Sequence, residues 1–265
     1  MDKVKALQQK ILDFYKQRGR SLPWRDTTDR YKVLVSEIML QQTQVDRVTQ
    51  KYEAWMKRYP TVKALAEAPL SEVLKLWSGL GYNNRAKRLH DAAKKVMEEH
   101  DGEIPDEEED LKQLPGIGPY TARSVLIFAD NRDLATVDTN IRRILIHELG
   151  LSETTTDKEL FKQAEKLLPK GRSRDWHNAL MDYGALELTS RKSGIRPKTR
   201  QSKFEGSRRQ VRSTLLKHAL EKGSINGREA KKHFPDTEHD PREVLEELRE
   251  EGLVERHGKT YKPKG

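Results

Sequence analysis

Helical periodicity constrains the fold of this chain more than any other feature of its sequence. Val4, Leu7 and Ile11 form an apolar stripe spaced by three or four residues, which is typical of one buried helix face. Comparable stripes recur over residues 31–57, 61–68, 71–78, 84–98, 119–130, 139–149, 157–168 and 174–188. The alternating pattern of a strand appears only over 253–261, where Gly258 splits it into a hairpin. The sequence therefore predicts an all-α protein.

Residues 207–265 predict a small C-terminal domain. Three helices and the hairpin succeed one another in the order of a winged helix-turn-helix. The helices are expected at 207–222, 226–234 and 240–251. The last of them carries five glutamates, Glu243, Glu246, Glu247, Glu250 and Glu251. Because such an acidic helix is unsuited to a DNA groove, we do not expect it to read sequence, and a protein-docking or stabilising role stays open.

Positive charge is concentrated in one segment. The formal net charge is +9, and residues 189–212 hold nine Lys or Arg against one Glu. Since neutralised phosphates release counterions, a nucleic-acid backbone is the polyanion that fits best, with a solvated linker as the alternative. We interpret residues 189–206 as a basic linker. Its candidate phosphate ligands are Arg191, Lys192, Arg196, Lys198 and Arg200.

Composition also excludes several classes of protein. No apolar run approaches membrane-spanning length, and the N-terminus leads into a charged helix, so we expect a cytoplasmic, nucleoid-associated protein without membrane contact. The chain has no cysteine, and it can form no disulfide, thiolate zinc site or cysteine-held iron–sulfur cluster. Its eight histidines show no metal-ligand spacing. We expect no metal and no cofactor.

A tight turn lies between two helical patterns at Leu111–Ala122. Its centre is Gly116, Ile117 and Gly118. Such a turn exposes backbone N–H groups at a helix N-terminus, where the helix dipole favours a phosphate. On these residues alone, a simple connection between packed helices stays open.

Glu37 and Asp138 each have both a structural and a catalytic interpretation. Glu37 is embedded in an apolar helical segment, where desolvation would raise its pKa. Asp138 precedes the helical pattern at 139–149, where it can cap the helix. Neither pattern by itself places the two carboxylates together.

Six short blocks occur in the order found in adenine DNA glycosylases of the MutY type. They are Leu22–Arg25, Ser36–Thr43, Gly79–Tyr82, Leu114–Ala122, Val137–Asn140 and Met181–Ala185. The resemblance covers residues 8–190 and implies the two-lobed helix-hairpin-helix fold of the endonuclease III superfamily, with DNA between the lobes. It implies a six-helix lobe at 28–131 with the hairpin at 111–130 and a second lobe from 1–27 plus 132–188.

The same resemblance implies excision of a flipped base from double-stranded DNA that contains a mismatch or a damaged base. We expect the protein to be a monomer. Glu37 would protonate the leaving base and Asp138 would stabilise or transiently capture the sugar cation, with Tyr120 and Asn140 orienting the carboxylates. Bifunctional relatives carry lysine at the position of Tyr120, so its absence implies a monofunctional glycosylase.

Further site residues are implied by the matching blocks. Trp24, Arg25 and Asp182 match a base pocket, and Gln42 and Tyr82 match residues that wedge into the base stack. Gly116, Ile117 and Gly118 match a phosphate-binding hairpin. Without the resemblance, Trp24 and Tyr82 would be interpreted as core aromatic side chains and Gln42 as a neutral surface residue. Arg25 and Asp182 would be interpreted as an ordinary ion pair.

Two departures from the family leave the excised base open. Leu188 stands where a four-cysteine cluster would begin, and residues 207–265 do not resemble the domain that recognises 8-oxoguanine. Gln41, Gln42 and Thr43 favour adenine opposite G or 8-oxoguanine. A thymine or uracil mismatch glycosylase acting on G:T and G:U is the alternative. A non-catalytic DNA-binding protein is a second alternative, although it would predict a degraded acid pair.

Overall fold

The computed structural model describes residues 3–198 and 202–265, and helices dominate both ranges. The helices of the first range are α1 (Lys3–Arg18), α2 (Arg30–Leu40), α3 (Val45–Arg58), α4 (Val62–Ala66), α5 (Leu70–Trp77), α6 (Asn84–Glu99), α7 (Glu108–Gln113), α8 (Pro119–Asp130), α9 (Thr139–Leu149), α10 (Asp157–Lys166), α11 (Ser173–Asp182) and α12 (Ser190–Ser193). Those of the second are α13 (Arg208–Lys222), α14 (Gly227–His233) and α15 (Pro241–Glu250). The prediction of a mostly helical fold is confirmed.

Two predicted helical stretches are interrupted. The stripe over 31–57 spans α2 and α3, because the chain turns at residues 41–44, where Gln42 adopts a left-handed backbone with φ 54°. The pattern over 174–188 holds α11 and then a π-helical turn, Tyr183–Glu187. An apolar stripe reports which face is buried and continues across a break whenever both flanking segments bury the same face. The basic linker also contains a short helix, α12.

The chain divides into two compact units. Unit 1 comprises Met1–Glu37, Pro105–Gln113 and Ile117–Arg200, and unit 2 comprises Ile38–Ile104, Leu114–Gly116 and Gln201–Gly265. The residues of each unit contact one another more than they contact the rest of the chain. The lobe boundaries implied by the sequence resemblance stay a prediction.

The core of unit 1 is built around α9 and α11. α1 packs on α11, and α11 packs on α9. Ile11, Ile141, Leu160 and Ala179 are completely buried in this core. Burying one isoleucine or leucine side chain contributes about 1.5–3 kcal/mol. The residue just before α9 and the last residue of α11 are therefore held by rigid, well-packed elements.

An aromatic cluster anchors the larger part of unit 2. Trp55 and Trp77 are fully buried with ring centroids 5.6 Å apart, and Tyr59 lies 5.2 Å from Trp55. Both pairs are edge-on, the geometry that aromatic quadrupoles favour. The Trp77 indole N–H donates to the Gly81 carbonyl at 3.0 Å. The cluster thereby fixes the loop that comes after α5.

The C-terminal part of unit 2, residues 202–265, is the C-terminal module, and it has the predicted winged helix-turn-helix order. Strands β1 (Ile225–Asn226), β2 (Val254–His257) and β3 (Thr260–Pro263) form an antiparallel sheet in the order β1-β3-β2. Asn226 and Glu229 form a capping box at the start of α14. Helix α13 of the C-terminal module packs against α5 of the same unit.

No helix among the described residues is both long and apolar enough to cross a lipid bilayer.

Candidate functional site

Glu37 lies in the last third of α2, among side chains that are almost completely buried. Its neighbours along the helix include Leu34, Ile38 and Met39, each at most 4% exposed. Burial raises the pKa of Glu37 to about 7, the Ser124 hydroxyl opposes the rise, and the nearby charge of Asp138 adds to it. The side chain nevertheless keeps part of its surface accessible. Glu37 is thus an acid that can still carry its proton at neutral pH.

Asp138 is the N-cap of α9. One carboxylate oxygen accepts the Ile141 backbone N–H at 2.7 Å, and the other accepts from the Asn140 amide at 3.2 Å. Burial raises its pKa, while the bonds from Ile141 and Asn140 and the charge of Arg143 oppose that rise. The structure therefore confirms the capping interpretation and also brings Asp138 within electrostatic reach of Glu37.

Tyr120 and Ser124 lie one turn apart on α8 and face the same acids. Burial raises the pKa of Tyr120 well above its usual value, and the charges of Glu37 and Asp138 raise it further. Ser124 is completely buried, and its hydroxyl lowers the pKa of both Glu37 and Tyr120, although neither pair reaches good hydrogen-bond geometry. Tyr120 therefore stays a neutral phenol beside the acid pair.

The buried Arg143 side chain holds Asn140 in place beside Asp138. The Arg143 guanidinium donates to the Asn140 side-chain oxygen and to the Gly184 carbonyl, both at 2.7 Å, and to the Leu188 carbonyl at 2.7 Å. A Cβ at Gly184 would lie 2.9 Å from the Cβ of Asn140. Only glycine lets the π-helical turn approach α9 this closely, which gives the Met181–Ala185 block a structural reason.

The Asp182 carboxylate is enclosed by two arginines. Arg25 forms a two-pronged bond to it at 2.8 and 2.9 Å, and Arg20 donates its guanidinium and its backbone N–H, both at 2.7 Å. Burial alone would raise the pKa of Asp182, but the bonds from Arg25 and Arg20 hold it below its usual value. Trp24 is 8% exposed. Asp182 thus orients the two arginines.

Gln42 and Tyr82, the predicted wedge residues, both lie in unit 2 and share an unusual backbone. Their φ angles are 54° and 48°, a left-handed region that costs a non-glycine residue about 1–3 kcal/mol and clusters at functional sites. The Arg85 guanidinium donates to the carbonyls of Gln41 at 2.6 Å and Gly81 at 3.1 Å. It also bonds the Ile38, Met39 and Leu80 carbonyls. Burial lowers the pKa of Arg85 to about 10, which leaves it charged, and it holds both loops.

The hairpin turn contains Gly116, Ile117 and Gly118, the predicted phosphate-binding residues. Gly116 adopts φ 80°, and a Cβ there would lie 2.8 Å from the Cβ of Arg88. Gly118 is the N-cap of α8, with Pro119 at its first turn. Both glycines are exposed, while Ile117 is 6% exposed and packs inward. The backbone at Gly116 and Gly118 therefore lies at the surface without a side chain over it.

The basic linker presents its cations on the surface. Arg191, Lys192, Arg196 and Lys198 are exposed. Lys192 lies 3.6 Å from Glu187, and Lys198 pairs with Asp157. Arg200, the fifth predicted phosphate ligand, lies outside the described residues.

Residues 35–170 match the family model of the HhH-GPD superfamily of base excision DNA repair proteins. The chain belongs to the HhH-GPD superfamily. Its relatives include the adenine DNA glycosylase of Mycolicibacterium smegmatis, 38% identical over 228 residues that cover 78% of each chain. The adenine DNA glycosylase of Homo sapiens is 38% identical over 237 residues, which cover 84% of this chain and 43% of the human protein. This chain spans about two fifths of the length of its mammalian relatives.

Solved HhH-GPD structures match the architecture. A thermostable thymine-DNA glycosylase is 32% identical with a TM-score of 0.66, covering 74% of this chain and 90% of that one. A trapped endonuclease III–DNA intermediate is 19% identical with a TM-score of 0.64, covering 75% and 91%. The predicted helix-hairpin-helix glycosylase fold is confirmed.

In this HhH-GPD chain eight of the predicted site residues fall into three groups, apart from the hairpin and the basic linker. Glu37, Asp138, Tyr120 and Asn140 come together around Ser124 and Arg143. Arg25 and Asp182 form a second group, whose contacts include Arg20 and Tyr15. Gln42 and Tyr82 form a third, which Arg85 holds. Sequence reasoning missed Ser124, Arg143, Arg20 and Arg85; only the spacing of Ser124 from Tyr120, one helical turn, offered a signal.

Metal ligands do not cluster in the part of the chain that the structure describes. The chain has no cysteine, and the described ranges contain no cluster of three or more His, Asp or Glu suited to a metal ion. At the position where the family's cysteine cluster would begin, Leu188 is 6% exposed and its carbonyl accepts from Arg143.

Proposed function

We propose that this chain is a monofunctional DNA glycosylase that excises adenine mispaired with G or 8-oxoguanine, the first step of base excision repair. The observation that supports it most is the acid pair: Glu37 with a pKa of about 7 beside Asp138. The name adenine DNA glycosylase, shared by relatives at 36–41% identity, supports the choice of base.

The proposed chemistry assigns one task to each acid. After the nucleotide is extruded from the stack, protonated Glu37 gives its proton to the base while the bond from the sugar to the base breaks and its electron pair leaves with the base. The Asp138 carboxylate stabilises the resulting oxocarbenium-like sugar until a water oxygen adds to it and releases a proton. The Asn140 and Ile141 donors keep the Asp138 oxygens in place.

Tyr120 is the reason for proposing no lyase step. A lyase needs an amine that forms a Schiff base with the sugar, whereas Tyr120 is a phenol whose pKa burial raises well above its usual value. We therefore propose simple hydrolysis with water as the nucleophile. No cysteine-held cluster is available to this chain, and we propose that it acts without a cofactor, as a monomer, in the cytoplasm at the nucleoid.

DNA contacts are assigned by charge and exposure. The backbone N–H groups of Gly116, Ile117 and Gly118 and the exposed cations of the basic linker are the proposed phosphate ligands. Trp24 and Arg25 are the proposed walls of the base pocket, with Asp182 acting through Arg25.

Thymine excision from G:T mispairs is the second candidate, because a thymine-DNA glycosylase is 32% identical with a TM-score of 0.66.

A panel of labelled duplexes decides between adenine and thymine excision. The panel pairs A with G or 8-oxoguanine and T or U with G, and alkali then converts abasic sites into strand breaks. We expect breaks at A:G and A:8-oxoguanine. Faster cleavage of T:G or U:G would overturn the choice of base.

We expect the single-turnover rate of excision to fall as pH rises through about 7. The reason is that Glu37 must be protonated to act as an acid, and burial raises its pKa to about 7. Above that value each further pH unit should cost about tenfold. On the acid side the rate should fall again as Asp138 takes up a proton, at a pH above that of an ordinary aspartate because burial raises its pKa. A rate that rises from pH 7 to 9 would contradict the assignment of Glu37.

A further inference from the structure

Ser124 is a buried serine beside the acid pair that the proposed mechanism does not use. Its side chain is completely buried on α8, and its hydroxyl oxygen has no hydrogen-bond partner among the described residues. Burying a hydroxyl without a partner is destabilising, and such groups are few in native proteins. A role in catalysis is one of the recognised reasons for keeping one.

The hydroxyl of Ser124 does not bond the backbone of its own helix. A serine or threonine inside a helix often donates to a carbonyl three or four residues earlier. Ser36 does so on α2, where it donates to the Val33 carbonyl at 2.7 Å, and Thr49 does so on α3 with the Val45 carbonyl at 3.1 Å. Ser124 makes no such bond. Its hydroxyl is therefore available to a group outside α8.

Two of the predicted catalytic side chains lie around this hydroxyl. Tyr120 precedes Ser124 by one turn of α8, so both side chains project from the same face of the helix. The Ser124 hydroxyl is also close enough to the Glu37 carboxyl and to the Tyr120 phenol to lower the pKa of each. Glu37 and Tyr120 keep part of their surface accessible, whereas Ser124 keeps none. Ser124 is thus placed to act on these two groups and not on a bound nucleotide.

The two neighbours need different bonds from a hydroxyl, which has one donor and two acceptor positions. Tyr120 has a pKa well above its usual value, so its phenol stays protonated and can donate to the Ser124 oxygen. Glu37 accepts most strongly after it has given up its proton, because a bond from a hydroxyl to a carboxylate is about twice as strong as one between neutral groups. A bond from Ser124 to Glu37 therefore strengthens as the proton leaves, and interactions that strengthen towards the transition state accelerate a reaction.

We propose that Ser124 is a positioning residue that links Tyr120 to Glu37: Tyr120 donates to the Ser124 oxygen, and Ser124 donates to the Glu37 carboxylate as that carboxylate forms. Ser124 keeps its own proton throughout, so only hydrogen bonds are made and broken at this residue. The role rests on the proposed function, in which Glu37 is the acid. The Asn140 amide supports the Asp138 carboxylate in the corresponding way.

Ser124→Ala tests this link, with Ser36→Ala as the matched control. Ser36 is 1% exposed and precedes Glu37 in the chain, but its hydroxyl is bonded within α2. The ionisation midpoint of Glu37 is measured by NMR on protein labelled with carbon-13 at the glutamate carboxyl groups, and Glu37→Gln identifies the signal. Single-turnover rates are measured from pH 6 to pH 9 on the duplex of the panel that the wild type cleaves fastest. Ser124→Cys, which keeps a weak donor of similar size, is the conservative variant.

We expect Ser124→Ala to raise the ionisation midpoint of Glu37 by about half a pH unit, because the carboxylate loses a donor. Excision should slow about tenfold at pH 6, the contribution of one hydrogen bond to a charged group. At pH 9 the loss should be only about threefold, because the shifted midpoint leaves about three times as much Glu37 protonated. Ser124→Cys should lie between Ser124→Ala and the wild type, and Ser36→Ala should match the wild type in both measurements.

An unchanged Glu37 midpoint in Ser124→Ala, or a loss of rate that is equal at every pH, would overturn the proposal. A serine that only fills space would slow excision to the same extent across the pH range. The NMR titration requires neither DNA nor cleavage. A wild type that cleaves none of the duplexes, while Ser124→Ala still shifts the Glu37 midpoint, would therefore contradict the proposed function and not the link between Ser124 and Glu37.

Discussion

Replacing Glu37 with Gln is expected to slow base excision by orders of magnitude and, above pH 7, to stabilise the protein. The amide cannot deliver a proton, so the single-turnover rate should fall by about 10²–10⁴-fold, the usual contribution of general acid catalysis. Excision is measured on an A:G duplex at pH 7, together with binding to show that the variant still holds DNA.

The stability gain is explained by the pKa of Glu37, which burial raises from 4.5 to about 7. Below pH 4.5 the carboxyl is neutral in both the folded and the unfolded chain and contributes no difference. As pH rises towards 7 the unfolded chain ionises first, so the wild type loses stability, and above 7 the loss is constant. Glu37→Gln removes it and should raise the free energy of unfolding by about 1–3 kcal/mol at pH 9.

Thermal unfolding at pH 4.5 and pH 9 checks this gain. For a chain of this size, about 1–3 kcal/mol corresponds to a melting temperature several degrees higher. The gain should appear at pH 9 and vanish at pH 4.5. A variant that is less stable than the wild type at pH 9 would mean that Glu37 is ionised and well solvated in the folded protein.

Replacing Asp138 with Asn is expected to separate catalysis from helix capping. Asn caps a helix about as well as Asp, so the bond from the Ile141 N–H should survive. Because burial raises the pKa of Asp138, the neutral amide should not lower the free energy of unfolding at neutral pH. The negative charge opposite the sugar cation is lost, and excision should fall by about 10²–10³-fold, the cost of removing one electrostatic stabiliser.

Asp138→Ala is the matched comparison, because it removes both the charge and the cap. It should lose excision to a similar extent and also about 0.5–2 kcal/mol of stability. Denaturant unfolding with the same two proteins provides the second readout. If Asp138→Asn excises at the wild-type rate, capping is the whole role of Asp138 and the two-carboxylate mechanism is wrong.

The helices were predictable because each buries one face, and the periodicity of Val4, Leu7 and Ile11 reports that directly. The turn between α2 and α3 was not, since the left-handed backbone at Gln42 depends on Arg85 reaching the Gln41 carbonyl from a distant helix. No local pattern encodes such a contact. Both residues became interpretable only once the fold placed them together.

Glu37 and Asp138 show the same difference between what a local sequence pattern predicts and what only the fold brings together. The apolar setting of Glu37 and the capping position of Asp138 could be read locally, whereas their proximity came only from resemblance to a family. Arg143 could not be found from the sequence, because its contribution is a set of bonds to Asn140 and to two backbone carbonyls. Gly184 lies within the Met181–Ala185 block that the resemblance identified. The requirement for glycine at this position comes from its close approach to Asn140, which is a property of packing.

The most direct test of the central claim is single-turnover cleavage of an end-labelled A:G duplex by the wild type, with and without alkali. Hydrolysis by Glu37 and Asp138 with Tyr120 in place of a lysine predicts strand breaks at the adenine only after alkali, and no complex trapped by borohydride. Strand breaks without alkali that accompany a trapped complex would contradict the hydrolytic mechanism. An uncleaved duplex after alkali would contradict adenine excision itself.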